Sequence, residues 1–438
     1  MVPATSAVLW LALVGLRVRR IYGKVGYLDL PGGGRMPMSG LGMCTGRHQE
    51  DTAQEVFEYL MLGGRHLDDA LAYENVAGVG AGVRRAVAAG IPREEIFVTI
   101  RIPPSVFGFN STLEAVEVVF KESELDYVDL LQLHSPLSTV PLPGTSHPEL
   151  ERCETMRRCH EETWRALKQV LGTGLARHLG VANFNAEQME FLLSLGGPPV
   201  AVNQLEFHPW VTSQHRDVVR WCHQHGIAVT AYASLEVFFG FKFGLFKFPR
   251  FARRSLFGAA TPSSPALWDR PFLANWTVDR VPAAEMEPIS QRLEAIAGRL
   301  NKTVAQVLLR WAVQQNVSVI PGASSPQHIR ENLELFDWEL ADEDMHFLEH
   351  QQPENLTTWR WPFGPHYLEG RYFDEQGVSN FAGYPAGLQY HDVFRYHKKT
   401  WLTARSWLLS LGAVCVTFLA LCIFCCRRRQ SRANVKKD

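Results

Sequence analysis

The chain has 438 residues, 46% of them hydrophobic, and its 44 basic and 45 acidic residues leave a formal charge of -1 at pH 7. This length allows one large domain with a buried core and further segments beside it. A near-neutral charge excludes the strong field that attracts nucleic acid, so no nucleic-acid partner is predicted. The eight cysteines lack the paired spacing of zinc ligands, and no metal site is predicted.

Residues 1–24 are predicted to form an apolar and basic leader. Its apolar run, residues 7–16, is followed by Arg17, Arg19 and Arg20. A signal segment and a simple leader both remain open. Because basic residues normally precede the apolar run of a signal peptide, the order of charges disfavours cleaved export.

Residues 25–350 alternate short apolar runs with helical periodicity, which is typical of βαβ units. The predicted strands cover 38–43, 66–69, 97–102, 128–134, 176–181, 200–205, 227–232 and 317–321. The predicted helices cover 76–89, 113–123, 161–171, 186–195, 214–225 and 304–315. Eight strands close a barrel more naturally than an open sheet, so we predict an α/β fold of the (β/α)8 TIM-barrel class.

A doubly wound sheet is the alternative fold, and it needs a glycine-rich phosphate turn directly after its first strand. The glycines at 32–34 lie in a hairpin-like turn, whereas Gly78, Gly80 and Gly82 fall inside a helix pattern. Neither group meets the requirement, which favours the barrel.

One motif carries a specific resemblance. Residues 64–75 read Gly-Arg-His-Leu-Asp-Asp-Ala-Leu-Ala-Tyr-Glu-Asn and place the strand-end Asp68 five residues before Tyr73. This pattern resembles the aldo-keto reductase family, NADPH-dependent enzymes that reduce aldehydes and ketones. Further motifs follow in the family's order: 36–37 (Met-Pro), 40–42 (Gly-Leu-Gly), 93–97 (Arg-Glu-Glu-Ile-Phe), 125–130 (Leu-Asp-Tyr-Val-Asp-Leu), 180–184 (Gly-Val-Ala-Asn-Phe), 203–206 (Asn-Gln-Leu-Glu) and 319–321 (Val-Ile-Pro). The resemblance spans about residues 25–345 and implies a nicotinamide cofactor and a small-molecule carbonyl substrate.

The candidate catalytic residues lie where barrel strands end, on the face that carries the active site in this fold. Asp68, Arg101 and His134 fall at predicted strand ends. Carbonyl reduction needs a proton donor for the developing alkoxide, and a cation paired to a carboxylate is expected to make a nearby tyrosine hydroxyl acidic enough to serve. We therefore predict Tyr73 as the general acid, Asp68 and Arg101 as its support, and His134 as the group that orients the carbonyl.

Two pocket positions depart from the family pattern. The supporting cation of the family is lysine, where this chain has Arg101, and Ser135 stands where many members have tryptophan. A guanidinium is larger and planar, so turnover is expected to be reduced or lost unless the site has adapted. The alternative function is a cofactor-binding pseudoenzyme or redox-sensing adaptor.

The resemblance also assigns the cofactor contacts, with NADP(H) expected over NAD(H). Asn183 and Gln204 match the side chains that hold the nicotinamide, and Tyr232 matches the ring that stacks on it. At the adenosine end, Gly322 replaces a lysine and His328 replaces an arginine that commonly binds the 2′-phosphate. The remaining candidates there are Ser324, Ser325, Arg330, Glu331 and Asn332.

Segments beyond the barrel pattern suggest a membrane. An insert at about residues 236–282 interleaves phenylalanines with cations, which suits either a membrane interface or a lid over the cofactor. After an aromatic-rich extension, 351–404, residues 405–426 are predicted to form a single transmembrane helix, and a basic tail, 427–438, follows. The lipid bilayer is therefore a predicted partner.

The topology signals conflict. Basic residues after the helix outnumber those before it, which places the barrel outside the cytosol. Five glycosylation sequons agree with that placement, at Asn110, Asn275, Asn301, Asn316 and Asn355. The weak leader, the need for a reduced nicotinamide pool and a helix close to the C-terminus favour a tail-anchored protein with a cytosolic barrel, which is the topology we predict.

Overall fold

The computed structural model describes residues 26–44, 49–103, 106–136, 156–211, 213–235, 283–323 and 325–350. The chain divides into two compact units, Met1–Pro385 and Ala386–Asp438, and every described residue belongs to the first. The predicted leader, insert, extension, transmembrane helix and tail lie outside the described residues. Among the helices within them, none is both long and apolar enough to cross a membrane.

Eight parallel strands form the central sheet, and a two-stranded hairpin lies beside it. The strands are β1 (Tyr27–Asp29), β2 (Arg35–Pro37), β3 (Leu41–Gly42), β4 (His66–Ala70), β5 (Phe97–Ile102), β6 (Val128–Leu133), β7 (Ala176–Ala182), β8 (Val202–Glu206), β9 (Ala228–Tyr232) and β10 (Val317–Val319). From β3 to β10, each strand pairs with the next one along the chain. Ser39 and Val319 form a parallel bridge between the first and last of these segments. The sheet therefore closes on itself, and the predicted (β/α)8 fold is confirmed.

Helices follow the strands in alternation. They are α1 (Gln49–Met61), α2 (Val76–Ala88), α3 (Phe109–Ser123), α4 (Met156–Thr173), α5 (Ala186–Ser194), α6 (Ser213–Gln224), α7 (Ala283–Leu300), α8 (Val304–Gln314), α9 (Pro326–Leu333) and α10 (Asp342–His350). The six predicted helices are confirmed, four of them to within two residues at each end. The sequence analysis missed α1, α7, α9 and α10. In α1 the buried face includes the polar Thr52 and Glu55, which interrupts the apolar periodicity that predicts a helix.

The predicted first and last barrel strands are shorter than expected. Residues 38–43 form a strand only at Leu41–Gly42, and residues 317–321 only at Val317–Val319. Backbone bonds nevertheless join the two segments, because the amide of Val319 donates to the Met38 carbonyl at 2.8 Å. Pro321 has no amide hydrogen to donate, although its carbonyl accepts from the Gly42 amide at 3.3 Å.

The glycines at 32–34 form the turn of the β1–β2 hairpin, as predicted. All three have positive φ values, 87°, 100° and 86°, which glycine adopts without a steric penalty. Gly34 approaches His178 near the start of β7. The hairpin therefore lies at the amino-terminal end of the barrel strands, and the opposite end is left for the site.

Candidate active site

The predicted catalytic residues meet at the carboxyl end of the barrel. Asp68 lies in β4 and Arg101 in β5, while His134 directly follows β6. A single 3-10 turn, Leu71–Tyr73, continues from β4 and carries Tyr73. The left-handed conformation of Glu74, φ 58°, ends this turn. Because the turn is so short, Tyr73 stays close to the strand that holds Asp68.

A buried ion pair forms the centre of the site. Arg101 Nη2 lies 2.7 Å from Asp68 Oδ1, and the two side chains are 5% and 1% exposed. The same nitrogen donates a hydrogen bond to the Tyr73 hydroxyl at 2.9 Å. Arg101 Nε donates to the backbone carbonyl of Asp69 at 3.4 Å. The guanidinium therefore connects the carboxylate to the phenol.

The charges of this pair depend on each other. Burial alone would lower the pKa of Arg101, but the neighbouring negative charge, chiefly that of Asp68, raises it overall. Burial raises the pKa of Asp68 above its ordinary value, against the opposing effect of Arg101. Burying one of these charges without the other is costly, so each stabilises the ionised form of its partner.

The acidity of Tyr73 differs from what we expected. Burial raises its pKa well above 10, and the nearby Arg101 lowers it only in part. The cation was expected to make the phenol more acidic than a free tyrosine, but desolvation of the phenolate outweighs it. The phenol therefore holds its proton throughout the neutral range.

His134 is uncharged beside the phenol. Burial first, and the charge of Arg101 second, lower its pKa well below the ordinary value. Its ring meets the Tyr73 ring edge-on, with centroids 5.8 Å apart. A neutral imidazole carries one donor and one acceptor, which suits it to hold a polar atom without adding charge.

The three predicted nicotinamide contacts divide into two groups. The amide of Asn183 donates to the His134 carbonyl at 3.1 Å and accepts from the Tyr232 hydroxyl at 2.8 Å. Gln204 lies elsewhere in the network, because its amide nitrogen donates to Asp68 Oδ2 at 2.6 Å. The amide oxygen of Gln204 accepts from Arg101 Nη1. The side chain of Gln204 thus belongs to the ion pair.

Comparison with known proteins places the chain in a family. The family model described as "Aldo/keto reductase family" matches residues 38–351. The chain is 30% identical over 332 residues to "Aldo-keto reductase family 1 member A1-A" of Danio rerio, covering 74% of this chain and 88% of that protein. It is 29% identical over 348 residues to an aldo/keto reductase of Synechocystis, covering 78% and 95%.

A solved structure agrees with these matches. The Bombyx mori aldo-keto reductase in complex with NADP superposes with a TM-score of 0.58 and 27% identity, covering 76% of this chain and 94% of that one. The chain belongs to the aldo/keto reductase family. Family membership supports a small-molecule carbonyl substrate and a nicotinamide cofactor.

The adenosine-end candidates of this aldo/keto reductase lie on one short helix. The Ser325 hydroxyl caps α9 and accepts from the His328 amide at 3.2 Å. Arg330 is exposed and donates to the Pro326 carbonyl. Glu331 accepts from Gln327, while the backbone carbonyl of the buried Asn332 accepts from Ser39. Ser324 lies outside the described residues. The structure thus collects four of the five candidates on α9.

Two residues of the site were missed by the sequence analysis. The Cys44 side chain hydrogen-bonds the Tyr73 hydroxyl and interacts with the charge of Arg101. The register of β3 on β4 sets Gly42 opposite Asp68, so a residue two positions later could have been placed near this end. The other is Asp69, which is fully buried and whose carboxylate has no side-chain hydrogen-bond partner among the described residues. Strand alternation places its side chain on the opposite side of β4 from that of Asp68, but no sequence signal shows that it is fully buried.

Proposed function

We propose that this aldo/keto reductase reduces an aldehyde or ketone with NAD(P)H and that Tyr73 is its general acid. The observation that carries the proposal is the contact between Arg101 and the Tyr73 hydroxyl at 2.9 Å, with Asp68 paired to the same nitrogen at 2.7 Å. This geometry places a fixed positive charge beside the phenol that is to lose a proton. Electrostatic stabilisation of that kind is a large term in catalysis.

The residues at the ends of β7 and β9 fit a nicotinamide. Asn183 has a left-handed backbone, φ 67°, and its amide is oriented by the Tyr232 hydroxyl and the His134 carbonyl. An ordered amide offers both a donor and an acceptor, which complements a carboxamide. The aromatic ring of Tyr232 supplies a face for stacking. A bound NAD(P)H supplies the hydride, and these side chains would hold its ring.

The protein's own contribution to the reaction is a proton. The carbonyl oxygen gains negative charge as the carbon is reduced, and the Tyr73 hydroxyl donates its proton to that oxygen. The phenolate left behind is stabilised by Arg101, whose charge Asp68 maintains. The neutral His134 orients the oxygen without competing for the proton. A phenol protonated throughout the neutral range is in the form that a general acid requires.

We favour NADP(H) over NAD(H) as the cofactor. The Bombyx mori aldo-keto reductase was crystallised with NADP, and the exposed Arg330 on α9 is a charged candidate for the 2′-phosphate. The absence of lysine at Gly322 and of arginine at His328 weakens that subsite. The comparison of Kd for NADPH and NADH measures the preference.

A cofactor-binding protein without turnover is the second candidate. The observation that favours it is the engagement of Gln204 by Arg101 and Asp68, which leaves the nicotinamide pocket with one fewer free amide. Such a protein would shift the fluorescence of NADPH yet show no oxidation that depends on a carbonyl compound. An assay of cofactor oxidation with a panel of aldehydes separates the two functions.

Tyr73→Phe tests the assigned acid. We expect kcat to fall by about 10²–10⁴-fold, the usual contribution of a positioned acid, with little change in the Kd of NADPH because the phenol acts on the carbonyl oxygen. Tyr27→Phe is the control, since that tyrosine is exposed on the hairpin at the opposite end of the barrel. An undiminished kcat in Tyr73→Phe would remove the phenol from the mechanism.

We further propose that residues 405–426 anchor the protein in a membrane with the barrel in the cytosol, where a reduced nicotinamide pool is available. Two observations favour the opposite topology. The sequon residues Asn110, Asn301 and Asn316 are exposed, and Cys159 is disulfide-bonded, which suits an oxidising compartment.

Protease protection distinguishes the two topologies. Protease added to intact microsomes should digest a cytosolic barrel, and an endoglycosidase should leave its mass unchanged. A protected barrel that loses mass with the endoglycosidase, and that no longer does so after substitution of the exposed sequon asparagines by glutamine, would establish the lumenal topology.

A further inference from the structure

The ion pair and Gln204 form a closed ring of three side chains. Arg101 Nη2 pairs with Asp68 Oδ1 at 2.7 Å. On the other side of the ring, Arg101 Nη1 donates to the Gln204 amide oxygen, and the Gln204 amide nitrogen donates to Asp68 Oδ2 at 2.6 Å. All three residues are at most 5% exposed. Gln204 comes from β8, on the far side of the barrel from β4 and β5.

This ring determines how arginine and aspartate meet. A guanidinium and a carboxylate favour a bidentate contact in which two nitrogens face two oxygens. Gln204 hydrogen-bonds the second atom of each group, Nη1 of Arg101 and Oδ2 of Asp68. The pair is therefore limited to one contact, and the guanidinium is held in the orientation in which the second hydrogen of Nη2 faces the Tyr73 hydroxyl, 2.9 Å away.

The remaining nitrogen of the guanidinium is also fixed. Nε donates to the Asp69 carbonyl, so all three nitrogens of Arg101 have partners. A lysine has one nitrogen and cannot bond Gln204, Asp68 and Tyr73 with this planar geometry. The site is thus adapted to arginine through Gln204.

We infer that Gln204 is a positioning residue for the proton donor: it prevents a bidentate Asp68–Arg101 pair and thereby keeps Arg101 Nη2 on the Tyr73 hydroxyl. Arg101 and Gln204 act as one unit, and nicotinamide contacts depend on Asn183 and Tyr232. The inference rests on the proposed reductase function, in which Tyr73 is the acid.

A double-mutant cycle on the full-length protein tests the unit. Gln204→Met removes the amide with little change in volume, and we expect kcat to fall at least about ten-fold while the Kd of NADPH changes by less than about two-fold. Arg101→Lys should lower kcat because the ring is lost. In the Arg101→Lys background, Gln204→Met should have little further effect, since lysine leaves no ring to break.

Gln132→Met is the matched control. Gln132 is equally buried in β6 and donates to the Val181 carbonyl at 3.2 Å. It should leave kcat and the Kd of NADPH within about two-fold, which separates a general loss of barrel packing from a loss of the ring. If Gln204→Met raises the Kd of NADPH alike in both backgrounds and leaves kcat unchanged, Gln204 is a cofactor contact and the inference is wrong. A rise in kcat in Arg101→Lys would also overturn it.

A second measurement needs no turnover. The resonance of the Tyr73 ring carbon that bears the hydroxyl, identified with Tyr73→Phe, reports the hydrogen bond from Arg101. It should shift in Gln204→Met at neutral pH and stay in place in Gln132→Met. If this resonance shifts in Gln204→Met but the wild type reduces no carbonyl compound, the positioning role of Gln204 stands and the reductase function is rejected. If the resonance does not move in Gln204→Met, Gln204 does not position Arg101 on the Tyr73 hydroxyl and the inference is wrong.

Discussion

At the residue scale, Asp69 shows what a buried carboxylate costs. It lies beside Asp68 in β4 but on the other side of the strand, because successive side chains alternate. Its side chain is fully buried, and among the described residues no side chain hydrogen-bonds its oxygens; the Ala70 backbone offsets the effect of burial only in part. Burial raises its pKa from 3.8 to about 8. The folded protein therefore keeps Asp69 protonated at neutral pH.

This residue should make stability fall as pH rises. Above about pH 4 the unfolded chain releases the Asp69 proton, whereas the folded protein keeps it up to about pH 8. Between these pH values the unfolded state therefore becomes more stable relative to the folded state as the pH rises. Asp69→Asn cannot ionise, and relative to the wild type its stability should increase from pH 4 to pH 8 by up to about 5 kcal/mol. Urea midpoints across this range measure the difference.

Asp126→Asn is the matched control, because it makes the same substitution at an exposed position, and the effect of Asp69→Asn is measured against it at each pH. An Asp69→Asn variant that is equally stable at pH 5 and pH 8 relative to the wild type would mean that a charged Asp69 is accommodated in the barrel wall.

At the element scale, α2 packs closely against both of its neighbours through glycines. A Cβ at Gly78 would lie 2.4 Å from the Gln49 carbonyl oxygen of α1, and one at Gly82 would lie 2.6 Å from Val56. A Cβ at Gly80 would lie 1.9 Å from the Ser123 carbonyl oxygen at the end of α3. Glycine weakens a helix, but here the missing side chains allow contact between helix backbones.

Alanine at Gly80 should therefore destabilise the protein despite its better helix propensity. The clash is with backbone, and overpacking of this kind costs about 1–3 kcal/mol or more, which exceeds the gain of about 1 kcal/mol from propensity. Gly298→Ala in α7 is the matched control, because nothing lies within 4 Å of its added Cβ and it should stabilise the protein. Thermal unfolding measures both variants. Stabilisation by Gly80→Ala would show that α2 and α3 can separate without cost.

At the scale of the whole molecule, three of the described histidines outside the candidate active site are buried in the neutral form. Burial lowers the pKa of His66, His160 and His215 to about 4 each. His66 hydrogen-bonds the Pro37 carbonyl and Thr99, and His160 bonds the Pro136 carbonyl. These rings lie on different elements, so their protonation acts on the fold rather than on one site.

Acid should therefore destabilise the protein strongly as the pH falls towards 4. Below about pH 6.5 these three histidines become protonated in the unfolded chain, whereas in the folded protein they stay neutral down to about pH 4. Together they lower the free energy of unfolding by up to about 4 kcal/mol per pH unit. The opposite effect of Asp69 removes about a third of that slope. Between about pH 6.5 and pH 4 the net loss is about 7 kcal/mol, which is comparable to a total stability of about 5–15 kcal/mol. Urea unfolding at pH 7, 6 and 5 should show a steep decrease, and His215→Gln should reduce the slope. Equal stability at pH 7 and pH 5 would contradict the buried neutral state.

The amino-acid sequence alone was enough to predict the barrel and most of the residues that meet at its carboxyl end. Eight apolar runs alternating with helical periods predict parallel strands, and strand ends converge on one face by topology alone. Asp68 and Tyr73 are five residues apart, so a local motif identifies them. Arg101 and His134 then follow from their places at strand ends. Short-range pattern and topology are enough for these residues.

Tertiary structure decided the partners and the charges. Gln204 contacts Asp68 from 136 residues away, and the motif that identifies it as a nicotinamide contact says nothing of the ring it forms with Arg101. Cys44 reaches Tyr73 only because β3 closes the barrel beside β4. The pKa of Tyr73 rises although a cation lies beside it, because the balance between desolvation and Coulomb attraction depends on how many atoms surround the phenol. That number is set by the packing of the folded chain, which no local pattern encodes.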